Sequence, residues 1–406
     1  MPVAASIASR SVGPTCHTGK VNSATTRLVT PAEARVDLGA VRHNIGVLAG
    51  HAEGAEMMAI VKSDGYGHGA AAIAGACLEA GASRLGTALL SEALTLREAG
   101  VTAPILAWLI TPGEPLDKAA LREIELSAAA PWAIDEIAAA ARRTGRPVRV
   151  HLKVDTGMSR GGASATDWPS LVKQALAVQA EGAIEIAGIW SHLACADTPE
   201  HPANKLQLVA FDEALAVADE LGVSSGVIRH IANSAATVTF PQARYDMVRP
   251  GLATYGLSPV PERGDFGLRP AMTLVARLAN VKRVPAGSGI SYGHLYVTDR
   301  ETTLGLVPLG YADGIMRSGT NRVEVLAAGK RRRVAGRVCM DQFVIDLGDD
   351  SADAGDEVIL FGPGDRGEPK CQDWADSLGT ITYEIVTRIG SRVPRVHSAG
   401  VDSVGR

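Results

Sequence analysis

The sequence predicts an α/β protein, with an N-terminal (β/α)8 TIM-type barrel followed by a C-terminal mostly-β domain. Three observations predict it. Short apolar runs alternate with Ala/Leu-rich runs of helical spacing from about Ala34 to about Ser258. Polar residues gather at the C-terminal ends of the apolar runs, where barrel active sites converge. After Pro270 the texture changes, with Val, Ile and Thr alternating and Gly punctuating at short intervals. The chain divides accordingly into a disordered tail over residues 1–32, a barrel over 33–262 and a β domain over 263–406, with 260–267 as the linker.

The first barrel strand is MMAIVK, ending at Lys62. SRLGTA, PILAWL, ELSAAAPW, VRVHLKVD, EIAGIWSHL, VIRHIAN and YDMVRP supply the other seven. Between them, Leu89, Ala93 and Leu96 recur at helical spacing, and Leu208, Phe211, Leu215 and Ala218 do so later. A doubly wound sheet is the alternative. The barrel is favoured because Lys62, Asp155, His192, Asn233 and Arg249 all stand at or just past a strand's C-terminal end. Beyond Pro270 the β-like runs include AMTLVARLANVKRVPAG, TTLGLVPLG, RVCMDQFVIDLG and DEVILFG, with a short helix expected around 372–378. There is no internal repeat.

Composition narrows the function classes. A chain of 406 residues has room for two domains, and its 46% hydrophobic and 21% charged content suits a globular protein. The formal charge of −4 creates no general field for nucleic acid or anionic membrane. The basic run 330–333, between Gly329 and Val334, reads as a solvated turn. Five widely spaced cysteines without a C-x-x-C pattern argue against a disulfide framework or zinc site and for a reducing cytoplasm. No His/Cys/carboxylate set has metal-ligand spacing, so no metal is expected. No apolar stretch is long enough to span a bilayer. Residues 1–32 hold no acid and no apolar core of a secretory signal.

Lys62 ends an apolar strand and enters SDGYGHG. Partial desolvation there would lower its pKa and make it a Schiff-base nucleophile, where the alternative is a surface lysine. His192 and His230 end neighbouring strands and flank Arg249, which is better explained as one polar cluster than as isolated side chains.

The residues then form a family pattern. VKSDGYGHG resembles the alanine racemase motif V-K-A-N-A-Y-G-H-G, departing at Ser63, Asp64 and Gly65. KVDTGMSRGG resembles the family's K-x-D-T-G-M-x-R, and GISYGH, GYADG and RVCMDQ resemble its C-terminal motifs. The resemblance runs from about residue 34 to 394.

It implies a pyridoxal 5′-phosphate enzyme interconverting L- and D-alanine, with Lys62 carrying the cofactor and Tyr66 hydrogen-bonding its phosphate. Asn233, Ser234 and Gly251 would supply further N–H and hydroxyl groups to the phosphate. A helix N-cap role for Ser234 is compatible with that. Arg249 would face the pyridine nitrogen; having no lone pair, it would leave that nitrogen unprotonated and the cofactor a weaker electron sink. His192 would stack on the ring and His230 would orient Arg249. Arg160 would grip the substrate carboxylate with its fork, and Lys153, carbamylated in several relatives, would position Arg160.

Racemisation needs an acid/base on each face of a planar carbanion. By the resemblance, Tyr292 serves the second face from the partner subunit of a homodimer, taking the proton of the L-isomer while Lys62 takes that of the D-isomer. Hydrogen bonding to His192 and the charge of Arg249 would make this phenol a better base. Met340 would offer a backbone N–H to the substrate, Asp341 would lie near Tyr292, and Tyr311 would line the access path. D-Alanine for cell-wall peptidoglycan is the implied use in a bacterium.

One departure stands near the C terminus, where Ser391 precedes R-V-P-R and some relatives have tyrosine. A pocket relaxed toward larger amino acids is the corresponding expectation. A barrel-type decarboxylase and a single-barrel cofactor carrier are the rival classes. The first carries glutamate where Arg249 stands, and the second lacks the β domain.

Overall fold

A computed structural model describes residues 30–399. The expected tail therefore lies, except for its last three residues, outside the described residues.

The first strand, β1 (Ala32–Asp37), alternates buried Ala32, Ala34 and Val36 with partly exposed neighbours. Asp37 ends it and caps the next helix, Leu38–Ala52, by accepting the N–H groups of Gly39 and Ala40. The barrel strands follow as β2 (Glu56–Ile60), β3 (Arg84–Leu89), β4 (Ile105–Leu109), β5 (Glu125–Ala128), β6 (Val148–Lys153), β7 (Ile184–Trp190), β8 (Ile228–His230) and β9 (Met247–Val248). They are the eight expected runs, all parallel, in the order β8-β7-β6-β5-β4-β3-β2-β9. The row nearly closes on itself. Asp246 N–H donates to Arg229 O at 3.1 Å and Arg249 N–H to Ala232 O at 2.9 Å, joining its two ends.

Helices cover the outside, so the strands are largely buried; in β6 the apolar Val148, Val150 and Leu152 alternate with the polar Arg149, His151 and Lys153. The helix Pro131–Thr144 shows how one is specified. Pro131 opens it, a stripe of Ala133, Ile134, Ile137, Ala138 and Ala141 is buried, and Gly145 ends it at φ 67°.

The later strands are β10 (Met272–Arg277), β11 (Asn280–Val284), β12 (Gly289–Ile290), β13 (Tyr296–Val297), β14 (Thr302–Val307), β15 (Glu324–Ala327), β16 (Lys330–Arg333), β17 (Phe343–Gly348), β18 (Glu357–Phe361) and β19 (Arg395–Ser398). One sheet runs β16-β15-β18-β10-β1-β19, a second runs β11-β14-β17, and β12 pairs with β13. β1 thus hydrogen-bonds β10 and β19 although it precedes the barrel in sequence. The late helix spans Cys371–Leu378.

The basic run 330–333 corrects one expectation. It is strand β16, not a turn. The turn lies one step earlier, at Ala328 and Gly329 with φ 49° and 70°, the two positive values that a two-residue hairpin needs. Its cations are paired at the surface, Lys330 with Asp350 and Arg331 with Asp373. Among the described residues no helix is long and apolar enough to cross a membrane.

Candidate active site

The strand ends of the barrel surround a cavity of about 250 Å³. Lys62, Tyr66, Lys153, Arg160, His192, Asn233, Ser234, Arg249 and Gly251, all expected from the sequence, line it. Four of its lining residues are cations and none is a carboxylate.

Lys62 enters the cavity from an unusual piece of backbone. Ser63, Asp64, Gly65 and Tyr66 are all left-handed, with φ between 52° and 60°. Four such residues in a row are strained, so contacts must hold them. Glu92 accepts the Ser63 N–H at 2.6 Å, and Asp64 accepts the Ala70 N–H at 2.8 Å. The departure at 64 thus serves the helix after the turn through its carboxylate, whereas the bond at 63 uses only the backbone N–H. Burial, helped by the positive charge of Arg160 and opposed by Glu92, holds the Lys62 amine below its ordinary pKa.

Across the mouth, the Ser234 hydroxyl oxygen accepts the N–H of Gly251 at 2.8 Å and that of Ala253 at 3.3 Å. Both bonds use its lone pairs, so its own proton is left to donate. The cap of the helix Ser234–Thr239 is Asn233, whose side chain accepts the Ala236 N–H; Ser234 is the residue after the cap.

Arg249 is 5% exposed and, among the described residues, has no ion-pair partner. Nη1–H donates to His230 Nδ1 at 3.0 Å. Nη2–H groups donate to Ser191 O at 2.9 Å and to His192 Nδ1 at 3.2 Å. Its carbon lies 4.9 Å from the Trp190 ring centre, and Lys153 Nζ lies 4.4 Å from the same ring. Burial, then the Arg249 charge, holds both His192 and His230 well below the ordinary histidine pKa, so both are neutral acceptors. Burial and the cations Arg249 and Arg160 bring Lys153 down to about 8.

Arg160 is presented by a loop shaped by Asp155, whose carboxylate accepts the N–H groups of Gly157, Met158 and Ser159. Gly162 lets the loop return: a Cβ there would lie 2.5 Å from Asp155 N.

Residues 36–259 match the alanine racemase N-terminal domain and residues 271–397 the alanine racemase C-terminal domain. The chain belongs to the alanine racemase family. It is 58% identical over 370 residues to the alanine racemase of Thermobifida fusca, covering 91% of this chain and 99% of that one. The Frankia casuarinae alanine racemase is 59% identical over 365 residues, covering 89% and 95%. Among solved structures, alanine racemase from D-cycloserine-producing Streptomyces lavendulae superposes with a TM-score of 0.90 at 55% identity, covering 92% and 98%.

On this racemase fold, Tyr292, Tyr311, Met340 and Asp341 do not line the cavity. They form one exposed face of the β domain. Tyr292 is 71% exposed, Ser291 Oγ contacts Cys339, and the Tyr311 and Ala312 N–H groups donate to Cys339 O and Met340 O. Gly310 permits that close approach, since a Cβ there would lie 2.3 Å from Met340 O. Asp341 accepts from Arg392 at 2.7 Å.

Trp108, Trp190 and Tyr383 were not singled out by sequence reasoning, yet all three line the cavity. Trp190 immediately precedes the Ser-His of a strand end, a signal that could have found it. Tyr383 carries no such signal. It comes from the helix Thr382–Thr387, which packs on the Lys62 turn because Gly67 leaves room for Val386 O. Ser391 is exposed and does not line the cavity.

Proposed function

We propose that this chain interconverts L- and D-alanine with pyridoxal 5′-phosphate, as a homodimer in which Tyr292 of the partner subunit completes each site. The observation that carries the reading is the cationic cavity built on a lysine of lowered pKa, a place for a phosphate and a carboxylate beside a nucleophilic amine.

The residues fit the cofactor. The Ser234 hydroxyl has a proton to donate. Gly251 has no room for a side chain, since a Cβ would lie 2.3 Å from the Tyr66 hydroxyl, so backbone and phenol form one cradle. Tyr66, Ser234, Asn233 and Gly251 would hold the phosphate, and His192 would lie against the ring. Arg249 presents only N–H donors, so a pyridine nitrogen beside it receives a hydrogen bond and no proton. When bound, the cofactor supplies the electron sink for charge developing at the substrate's α-carbon.

The protein's own groups then hold and move the protons. Lys62 Nζ exchanges one with the α-carbon on the D-side, and the Tyr292 hydroxyl of the partner subunit exchanges one on the L-side. Arg160 orients the substrate carboxylate through two parallel N–H donors. The exposed Tyr292, Leu295, Val297, Tyr311 and Met340 support the dimer, because an apolar patch of that kind marks an interaction surface. The free, scattered cysteines support a cytoplasmic site, and the family resemblance supports use of D-alanine in peptidoglycan.

The test is incubation with L-alanine and pyridoxal phosphate in heavy water. Loss of optical rotation with deuterium at the α-carbon of both enantiomers is expected. Carbon dioxide release with an amine product would replace the reading by decarboxylation. Comparable turnover of serine or lysine would make it a broader amino-acid racemase.

A further inference from the structure

Arg249 is a buried cation with no carboxylate beside it among the described residues, and its hold on His230 continues inward. His230 Nε2 lies 2.8 Å from His151 Nδ1, and His151 Nε2 lies 3.1 Å from Glu125 Oε2. The other carboxylate oxygen accepts Arg84 at 3.0 Å and Arg149 at 2.9 Å, and the same Arg84 nitrogen also donates to Oε2 at 3.2 Å, so Oε1 takes two arginine bonds and Oε2 one. His151 and His230 are wholly buried, and Glu125 nearly so. β6 and β8 are not neighbours, so the contact between their histidines crosses β7 inside the barrel. Gly188 on β7 makes room for it: a Cβ there would lie 2.3 Å from His151 Nδ1.

Donor counting assigns every proton in this row. An arginine can only donate, so His230 Nδ1 must be bare. His230 then carries its proton on Nε2 and donates to His151 Nδ1. His151 carries its own on Nε2 and donates to Glu125. Burial pushes the Glu125 carboxyl up, but His151, Arg84 and Arg149 outweigh it and bring it down to about 2, so it is an acceptor only. With an obligate donor at one end and an obligate acceptor at the other, one arrangement satisfies the whole row.

We propose that Glu125 and His151 are positioning residues. Through the row Glu125–His151–His230–Arg249 they hold His230 in the tautomer that accepts from Arg249, and so fix the guanidinium in the mouth. The proposal rests on the reading of Arg249 as the cation facing the cofactor. The competing role for Glu125 is purely structural, tying β5 to Arg84 and Arg149 at the closed end of the barrel.

Two variants separate these roles. Glu125→Gln keeps the side chain's shape, but Arg84 and Arg149 claim its oxygen, so its NH2 faces His151. The row then reverses and sets an N–H of His230 against Arg249. His151→Gln keeps the direction, because its amide can accept from His230 and donate to Glu125.

Nitrogen NMR of histidine-labelled protein, with and without cofactor, reads the His230 tautomer independently of any activity. The Nε2–H form is expected in the wild type and in His151→Gln, and the Nδ1–H form in Glu125→Gln. For alanine, kcat should fall about tenfold or more in Glu125→Gln with KM within about threefold, and at least about threefold less in His151→Gln. An Nδ1–H form in the wild type overturns the proposal, and that spectrum decides even if Glu125→Gln does not fold. So does a retained Nε2–H form in Glu125→Gln, or equal kcat losses in the two variants. A wild type that does not racemise alanine would remove the proposed function, while the tautomer would still decide the row.

Discussion

A Cβ on Gly251 would lie 2.3 Å from the Tyr66 hydroxyl, so the backbone after β9 and the phenol after β2 share a space that only glycine leaves open. Gly251→Ala should push Tyr66 out of the cradle while the fold persists, because overpacking of this kind costs about 1–3 kcal/mol. Titration of cofactor-free protein with pyridoxal phosphate should show binding weakened about tenfold or more. Unchanged binding would mean that Tyr66 and Gly251 do not hold the phosphate.

Tyr292 is exposed, so Tyr292→Phe should leave stability within about 0.5 kcal/mol. If the phenol acts across a dimer, mixing subunits should reveal it. Lys62→Ala and Tyr292→Phe homodimers should each be nearly inactive. Co-refolding them in equal amounts should restore about a quarter of wild-type activity, since half the dimers are mixed and each has one intact site. No recovery, with mixed dimers present, would place Tyr292 outside the partner's site.

Lys153 is brought down to about 8, so near pH 7.5 about a quarter of it is the neutral amine that can attack carbon dioxide. Carbamylation would form an N–C bond between the neutral amine and carbon dioxide and release one proton; counted from the ammonium form, two protons leave and a cation beside Arg160 becomes an anion. A native mass spectrum should show the added carboxyl, and bicarbonate should lower KM for alanine in protein purified without it. An unmodified mass that bicarbonate does not change would remove the idea.

His192 and His230 are both held below the ordinary histidine pKa by burial first and by Arg249 second. The unfolded chain therefore binds more protons than the folded one just below pH 6.5. Stability contributed by these neutral rings is full above about 6.5 and is lost as pH falls toward the lower folded values. Denaturant unfolding of cofactor-free protein should show this loss between pH 7.5 and 5.5, with a shallower slope in His192→Gln. An identical slope in that variant would show that His192 does not contribute.

Much of this protein is legible in the chain itself. Apolar runs of strand length mark the eight barrel strands, and five of them leave a polar residue at or just past the C-terminal end, so Lys62, Asp155, His192, Asn233 and Arg249 are already ordered toward one mouth. Such patterns are local, and local backbone preference and burial suffice to produce them.

Only the tertiary structure decided which strands pair and which distant side chains meet. β1 alternates like any half-buried strand, and nothing within six residues says that its partners are β10 and β19. The positive turn at 328–329 was hidden because alanine, unlike glycine, does not advertise a left-handed backbone. Tyr383 reaches the cavity from more than 300 residues beyond Lys62, through the packing of Val386 on Gly67. The row from Glu125 to Arg249 joins residues of β5, β6, β8 and the end of β9. It exists only because barrel closure turns one face of each strand inward, a long-range consequence that periodicity does not contain.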